Sequence, residues 1–532
     1  MKKYNIIKLL TATAAALFMT ACSWVKEPAP GVTELEDYFV SGQACINNVT
    51  ANYVPLVWEF QSTYYSEWFI GDVMSDDAIK GGQNVSDMSQ AYELENFKSN
   101  ADNEIAYDFY GAQYQGIARC NLSLTYIPDV ACDSVMTQSV KDRLIGECYF
   151  LRAYYYFRLV RAFGGVPLTL QVENSDERWA MPRETTENVY KQIISDLTEA
   201  ERLLWNKSEY ASEDLGRATK GAAQAMLMKA YLYQGKYTEA EQWGAKFLLD
   251  QESEYSLTPN FADNFTLAGE NNCESVFEFQ YANESTSDYG TGNGSTRGTF
   301  TTILTRSRAT NMGDEGWGFN KPTQNLYNEY EENDPRRDAT IMSLQGEYAS
   351  ENDIYLGNSY LNRKSGMYNA DGSGYTYKIA HASRGVLNNK QIRLADVLLM
   401  YAEACEENGN TIGAEDALER VRARARANAP EGAINPLPEY PNYTIKINGV
   451  EKTPTLKEAI RHERRMELAM EGHRWFDLCR WGVAVEVMNA YRETETPEAR
   501  AEMSEMRPFQ TLLPIPHKQI LLNSALTQNP EY

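Results

Sequence analysis

Histidine is scarce. The 532 residues include four: His381, His462, His473 and His517. A metal site built on clustered imidazoles is therefore not signalled. The zinc-protease helix needs two histidines one turn apart around a glutamate. The nearest approach, His462-Glu463, has Met466 where the second histidine belongs, and His473 lies three turns away. No C-x-x-C occurs among the eight cysteines. Seven remain beyond Cys22, an odd number that cannot all pair. Cys132 and Cys148 could pair in an exported protein, but small buried thiols without a disulfide framework are the expectation. Basic residues are outnumbered, 50 Lys and Arg against 74 Asp and Glu, for a net charge of −24. That balance excludes a broad basic footprint on nucleic acid. No segment after the N-terminus is long and apolar enough to span a bilayer.

What is present begins at the N-terminus. MKKYNIIKLLTATAAALFMTAC combines Lys2, Lys3 and Lys8 with a short apolar core and small residues before Cys22. This is the layout of a secretory signal. Met19-Thr20-Ala21-Cys22 resembles a bacterial lipobox, with methionine in place of the usual leucine. The expectation is a signal peptide over 1–21 and a lipid-bearing Cys22, whose several acyl chains would anchor stably where one chain would not.

Three later segments share a pattern, beginning at Ile145, Ala222 and Ala395. Each opens with apolar residues at three- and four-residue spacing. In the second and third, a glycine ends the first helix and an alanine-rich helix follows. Alanine on facing sides lets helices approach closely. A further helix is expected from Thr185, with Thr186 and Glu187 as start signals. The pairs resemble tetratricopeptide units without the leading tryptophan. The expected fold is mainly α: a tetratricopeptide-like right-handed helical array with loop-rich insertions and a few short strands. The insertions begin at Asn283, Asn362 and Ala429, and in the last Asn448-Gly449 signals a hairpin.

The densest chemistry is RRMELAMEGHRWFDLCRWG, from Arg464. Glu467 and Glu471 lie one turn apart, as a retaining glycosidase pair might. Arg464 and Arg474 share their stripe, within a sector of roughly 80° at about 100° per residue. Arginines beside carboxylates depress their pKa, which suits ion pairing and spoils a general acid. The stretch reads as a structural arginine–carboxylate ladder.

With its flanks, EAIRHERRMELAMEGHRWFDLCRWG from Glu458 resembles the hallmark of the SusD/RagB family. FLRAYYYFRLVRAFGGVPL from Phe150, GWGFNKPTQNLYNEYEENDPRRDATI from Gly316, ADVLLMYAEA from Ala395 and LLPIPHKQILLNSALTQNPEY from Leu512 extend the resemblance over nearly the whole mature chain. The resemblance implies an N-terminal helical region over 22–260 and a second SusD/RagB region over 261–532. It implies a surface-facing outer-membrane lipoprotein without catalytic activity or cofactor. Such a protein caps a SusC-like TonB-dependent transporter and carries an oligosaccharide, or in some relatives a peptide. A surface glycosidase is the remaining alternative. The resemblance also places ligand-binding aromatics near Trp317. Tyr289 is a second candidate platform, Asp76 (with Asp72 and Asp77 competing) a hydroxyl acceptor, and Arg306 or Arg308 a forked donor.

Overall fold

The computed structural model describes residues 38–172, 180–284, 297–309, 316–343, 351–447 and 450–532. Cys22, Tyr289 and the Asn448-Gly449 pair lie outside them.

Helix α1 (Gly42–Tyr53) packs on α2 (Glu104–Tyr126) and α3 (Gln138–Phe163). Thr137 caps α3 by accepting from the Val140 amide, and Gly164 ends it with φ of 74°. From Phe150 to Val160 every residue of α3 is buried, charged ones included. The reason is its position: α2 and α4 (Thr186–Leu203) flank it, and strand β2 (Ser275–Phe279) lays Phe277 edge-on against Phe150 and Tyr154. Helix α4 starts where the sequence placed it, but the capping hydroxyl is Thr185, which accepts from the Asn188 amide.

Helices α5 (Lys220–Leu232) and α6 (Tyr237–Asp250) form the next pair, and α8 (Leu394–Glu407) with α9 (Thr411–Ala427) the last, the short α7 (Thr301–Thr305) intervening in sequence. Gly235 and Gly409, both with positive φ, end the first helix of each pair. Gly244 of α6 shows why small residues sit at these crossings. A Cβ there would stand 2.6 Å from the ring of Tyr401 on α8.

Strands are short and paired in two-stranded antiparallel ladders. β1 (Ala78–Gly81) pairs with β3 (Phe319–Pro322), β2 with β6 (Asn389–Arg393), β4 (Ile341–Ser343) with β5 (Tyr360–Asn362), and β7 (Ile445–Ile447) with β8 (Val450–Lys452). The last ladder is the expected hairpin. The sequence-based fold class holds: helical pairs carry the core, and the strands tie the insertions to it. Cys132 and Cys148 are unpaired, as are the five other described cysteines. Among the described residues no helix is long and apolar enough to cross a membrane.

Candidate functional site: a buried charged frame and an aromatic face

The stretch from Arg464 is not one helix. α10 (Leu456–Leu468) stops, Met470 and Gly472 take positive φ, and α11 (Arg474–Arg480) starts afresh. The ladder expected along the helix is therefore replaced by bonds to distant segments. Glu467 binds Arg336, Arg393 and Arg424. Glu471 takes Arg393 and Lys364. Glu463 takes Arg336 and Arg422, and Arg464 joins Asp396 to Asp477. Burial opposes ionisation of Glu467, but Arg424, Arg393 and Arg336 outweigh it and hold the carboxyl well below the usual range. In Glu471 the same contest, won by Arg393 and Lys364, ends at about 2. Burial, with Lys229 beside it, pushes His473 down to about 3 and so keeps the imidazole neutral. None of Glu467, Glu471 and His473 offers a proton near neutral pH, as a general acid must.

Asp76 belongs to this frame. Arg474 forks onto it, Nε to Oδ1 and Nη2 to Oδ2 at 2.8 Å each, and Arg465 adds a third contact at 3.0 Å. Burial would raise its pKa, but the two arginines bring it to about 2. Asp76, Asp72 and Asp77 are all wholly buried, so none can accept a ligand hydroxyl as expected. Arg306 is also wholly buried: Nε donates to the Gly366 carbonyl, Nη2 to that of Tyr377, and the guanidinium lies on the Tyr375 ring. Its forked geometry is consumed inside the protein. Arg308 is the half-buried member of the pair, with Nη1 on the Trp317 carbonyl.

Trp317 is half-buried in a cluster of aromatic rings. Its amide donates to Ile303 of α7 (Thr301–Thr305), and the flanking Gly316 and Gly318 amides donate to Ser307 and Arg306. The strip can lie flat on α7 because Gly316 has no side chain; a Cβ there would sit 2.4 Å from the Arg306 backbone. Tyr64 meets Trp317 edge-on at 5.6 Å and Phe300 at 5.1 Å, and Phe60 packs against both Tyr64 and Phe300. Tyr281 and Tyr377 pack against the same core, and Asn283 donates to the Tyr377 hydroxyl. Phe60, Tyr64, Trp317, Tyr281 and Tyr377 all keep some exposure. The sequence reading missed the N-terminal contributors. Their signal was WEFQSTYYSEW, from Trp58, five aromatics in eleven residues without helical spacing.

The profile of the SusD family matches residues 273–532, and that described as "Starch-binding associating with outer membrane" matches 30–232. The chain belongs to the SusD/RagB family. Among relatives of this SusD/RagB member, the SusD-like protein P2 of Formosa agariphila is 27% identical across all of both chains. A SusD-like protein of Bacteroides ovatus is 27% identical over 89% of this chain and 82% of its own. A solved laminarin binding SusD-like protein is 28% identical with a TM-score of 0.74, over 93% of this chain and all of that one. A surface glycan-binding protein A of Bacteroides thetaiotaomicron, in complex with laminarihexaose, shares the fold at a TM-score of 0.75 and 24% identity, over 92% of this chain and all of that one.

Proposed function

We propose that this SusD/RagB protein is a non-catalytic glycan-binding lipoprotein of the outer membrane, and that the face around Trp317 is where it holds its ligand. The observation that carries the reading is the half-exposed aromatic cluster beside a frame whose carboxylates are locked in ion pairs. Aromatic faces bind the CH faces of sugars, and the Tyr377 hydroxyl, Asn283 and Arg308 supply hydrogen bonds at the rim. A relative 28% identical is a laminarin binding protein, which supports a glucan as cargo. Each aromatic contact contributes of order 1 kcal/mol, so affinity falls in the micromolar-to-millimolar range. Such affinity suffices for a lid that presents cargo beside a TonB-dependent transporter at high effective concentration. Lipidation at Cys22 would keep that lid on the outer leaflet.

Isothermal titration of the mature protein against a glycan panel and a peptide panel tests this. Glycan binding that is lost in Trp317→Ala supports the reading. Binding of peptides alone replaces the cargo, and release of reducing ends by the pure protein overturns the non-catalytic assignment.

A further inference from the structure

One carboxylate sits behind the whole aromatic face. Glu59 is 4% exposed and its carboxylate receives donors from two segments, Tyr281 and residues 299–301. Its Oε2 accepts from the Thr299 hydroxyl at 2.9 Å, the Phe300 amide at 2.7 Å and the Thr301 amide at 3.1 Å. Its Oε1 accepts from the Tyr281 hydroxyl at 3.0 Å and the Thr301 hydroxyl at 2.9 Å. Its own carbonyl accepts from the Tyr65 amide, which closes the loop that presents Phe60 and Tyr64. Among the described residues no arginine or lysine pairs with it, unlike Glu467 and Glu471 of the frame.

These partners are the supports of the platform. Phe300 touches Phe60 and Tyr64 directly. Tyr281 is held by its own hydroxyl. Thr301 opens α7, and two residues further on the Ile303 carbonyl receives the Trp317 amide. The Thr301 hydroxyl in turn accepts from Trp68 Nε1 at 3.0 Å, so the junction is braced from the core side as well. Both amides and the Thr299 hydroxyl fall on Oε2, while Oε1 takes the Tyr281 and Thr301 hydroxyls. A carboxylate accepts at both oxygens, whereas glutamine would turn its NH2 toward those two hydroxyls and reverse their bonds. Charge-assisted bonds of this kind are also about twice as strong as neutral ones.

We infer that Glu59 is the positioning residue of the ligand platform, fixing Tyr281, Phe300 and, through α7, Trp317 relative to Phe60 and Tyr64. It touches no ligand; it sets the spacing of the rings that do. This rests on the reading of the aromatic face as the glycan site.

The test uses the mature protein with laminarihexaose as probe. Affinities are measured for the wild type, Glu59→Gln, Trp317→Ala and the double variant. Acrylamide quenching of Trp317 is read without ligand, as the difference each protein shows on adding Trp317→Phe. The expected result is a roughly tenfold weaker affinity for Glu59→Gln, from misplaced rings, with its helical circular dichroism retained. Quenching of Trp317 changes, and the double variant binds no more weakly than Trp317→Ala alone. Unchanged quenching in Glu59→Gln, or a loss that adds in full to that of Trp317→Ala, overturns the role of Glu59 and leaves the glycan reading standing. Wild-type affinity in Trp317→Ala overturns both. If the wild type does not take up laminarihexaose, that ligand choice fails and the quenching comparison alone decides whether Glu59 holds Trp317. Should Glu59→Gln fail to fold, Tyr281→Phe and Thr301→Val, which each remove donors to it, carry the same comparison.

Discussion

Arg393 forks onto Glu471, Nε to Oε2 and Nη2 to Oε1, both at 2.8 Å. Its Nη1 reaches Glu274 and Glu467 on the other side. One guanidinium from the end of β6 thus ties the broken helix α10–α11 to the segment that leads into β2.

Glu467 is the most heavily loaded member of this frame. Glu467→Ala leaves Arg336, Arg393 and Arg424 buried with too little negative charge. Removing one partner of a buried pair costs about 3–5 kcal/mol. Urea unfolding should show a loss of that size with helix content retained in the folded baseline. Glu187→Ala, whose partner Lys191 is exposed on α4, should leave the unfolding curve nearly unchanged.

Two carboxyls give opposite pH signatures. Glu471, held at about 2, stabilises the fold above its unfolded value near 4.3, and that contribution disappears as the pH falls toward 2. Asp72 is pushed up to about 7 by burial, although Asn320 and the Gly472 amide donate to it. Its contribution is complete below about 4 and is lost as the pH rises through 7. Asp72→Asn should therefore raise the thermal midpoint at pH 8 relative to the wild type, and not at pH 4. Scans at both values check this.

Trp317 and Asp76 should separate cleanly. Trp317→Ala is expected to weaken glycan binding about tenfold or more with a small change in midpoint, since the ring is half-exposed. Asp76→Ala is expected to destabilise by about 3 kcal/mol or more by stranding Arg465 and Arg474, while protein that remains folded binds normally. Titration and calorimetry on both variants distinguish the two outcomes.

The cysteines give a simpler check. Cys132 and Cys273 are exposed, and Cys45, Cys120, Cys148 and Cys405 are buried. A thiol reagent should label the two exposed sites quickly and the four buried ones after denaturation, and dithiothreitol should leave the midpoint unchanged.

Much of this architecture was legible in the residues. Periodicity and terminal glycines marked the helix pairs, and the arginines beside Glu467 and Glu471 announced ion pairing over acid catalysis. What periodicity could not show was where the partners come from. A wheel drawn through residue 474 assumes a continuous helix, and Gly472 with Met470 breaks it. Asp76 and Arg306 looked like ligand groups because sequence alone does not reveal burial. Each is spent on an internal partner that lies 398 and 60 residues away, respectively. Trp317 stood out by its glycines, whereas Phe60 and Tyr64 became visible as its neighbours when the fold brought them there.

The bond from Arg474 to Asp76 spans 398 residues, and that from Arg465 to Asp77 spans 388. Exchange of halves between relatives is therefore constrained at a level finer than domain boundaries. A chimaera joined near residue 260 inherits its acids from one parent and its arginines from the other. It will assemble only where both parents have kept the same pairings, however well each half resembles the family.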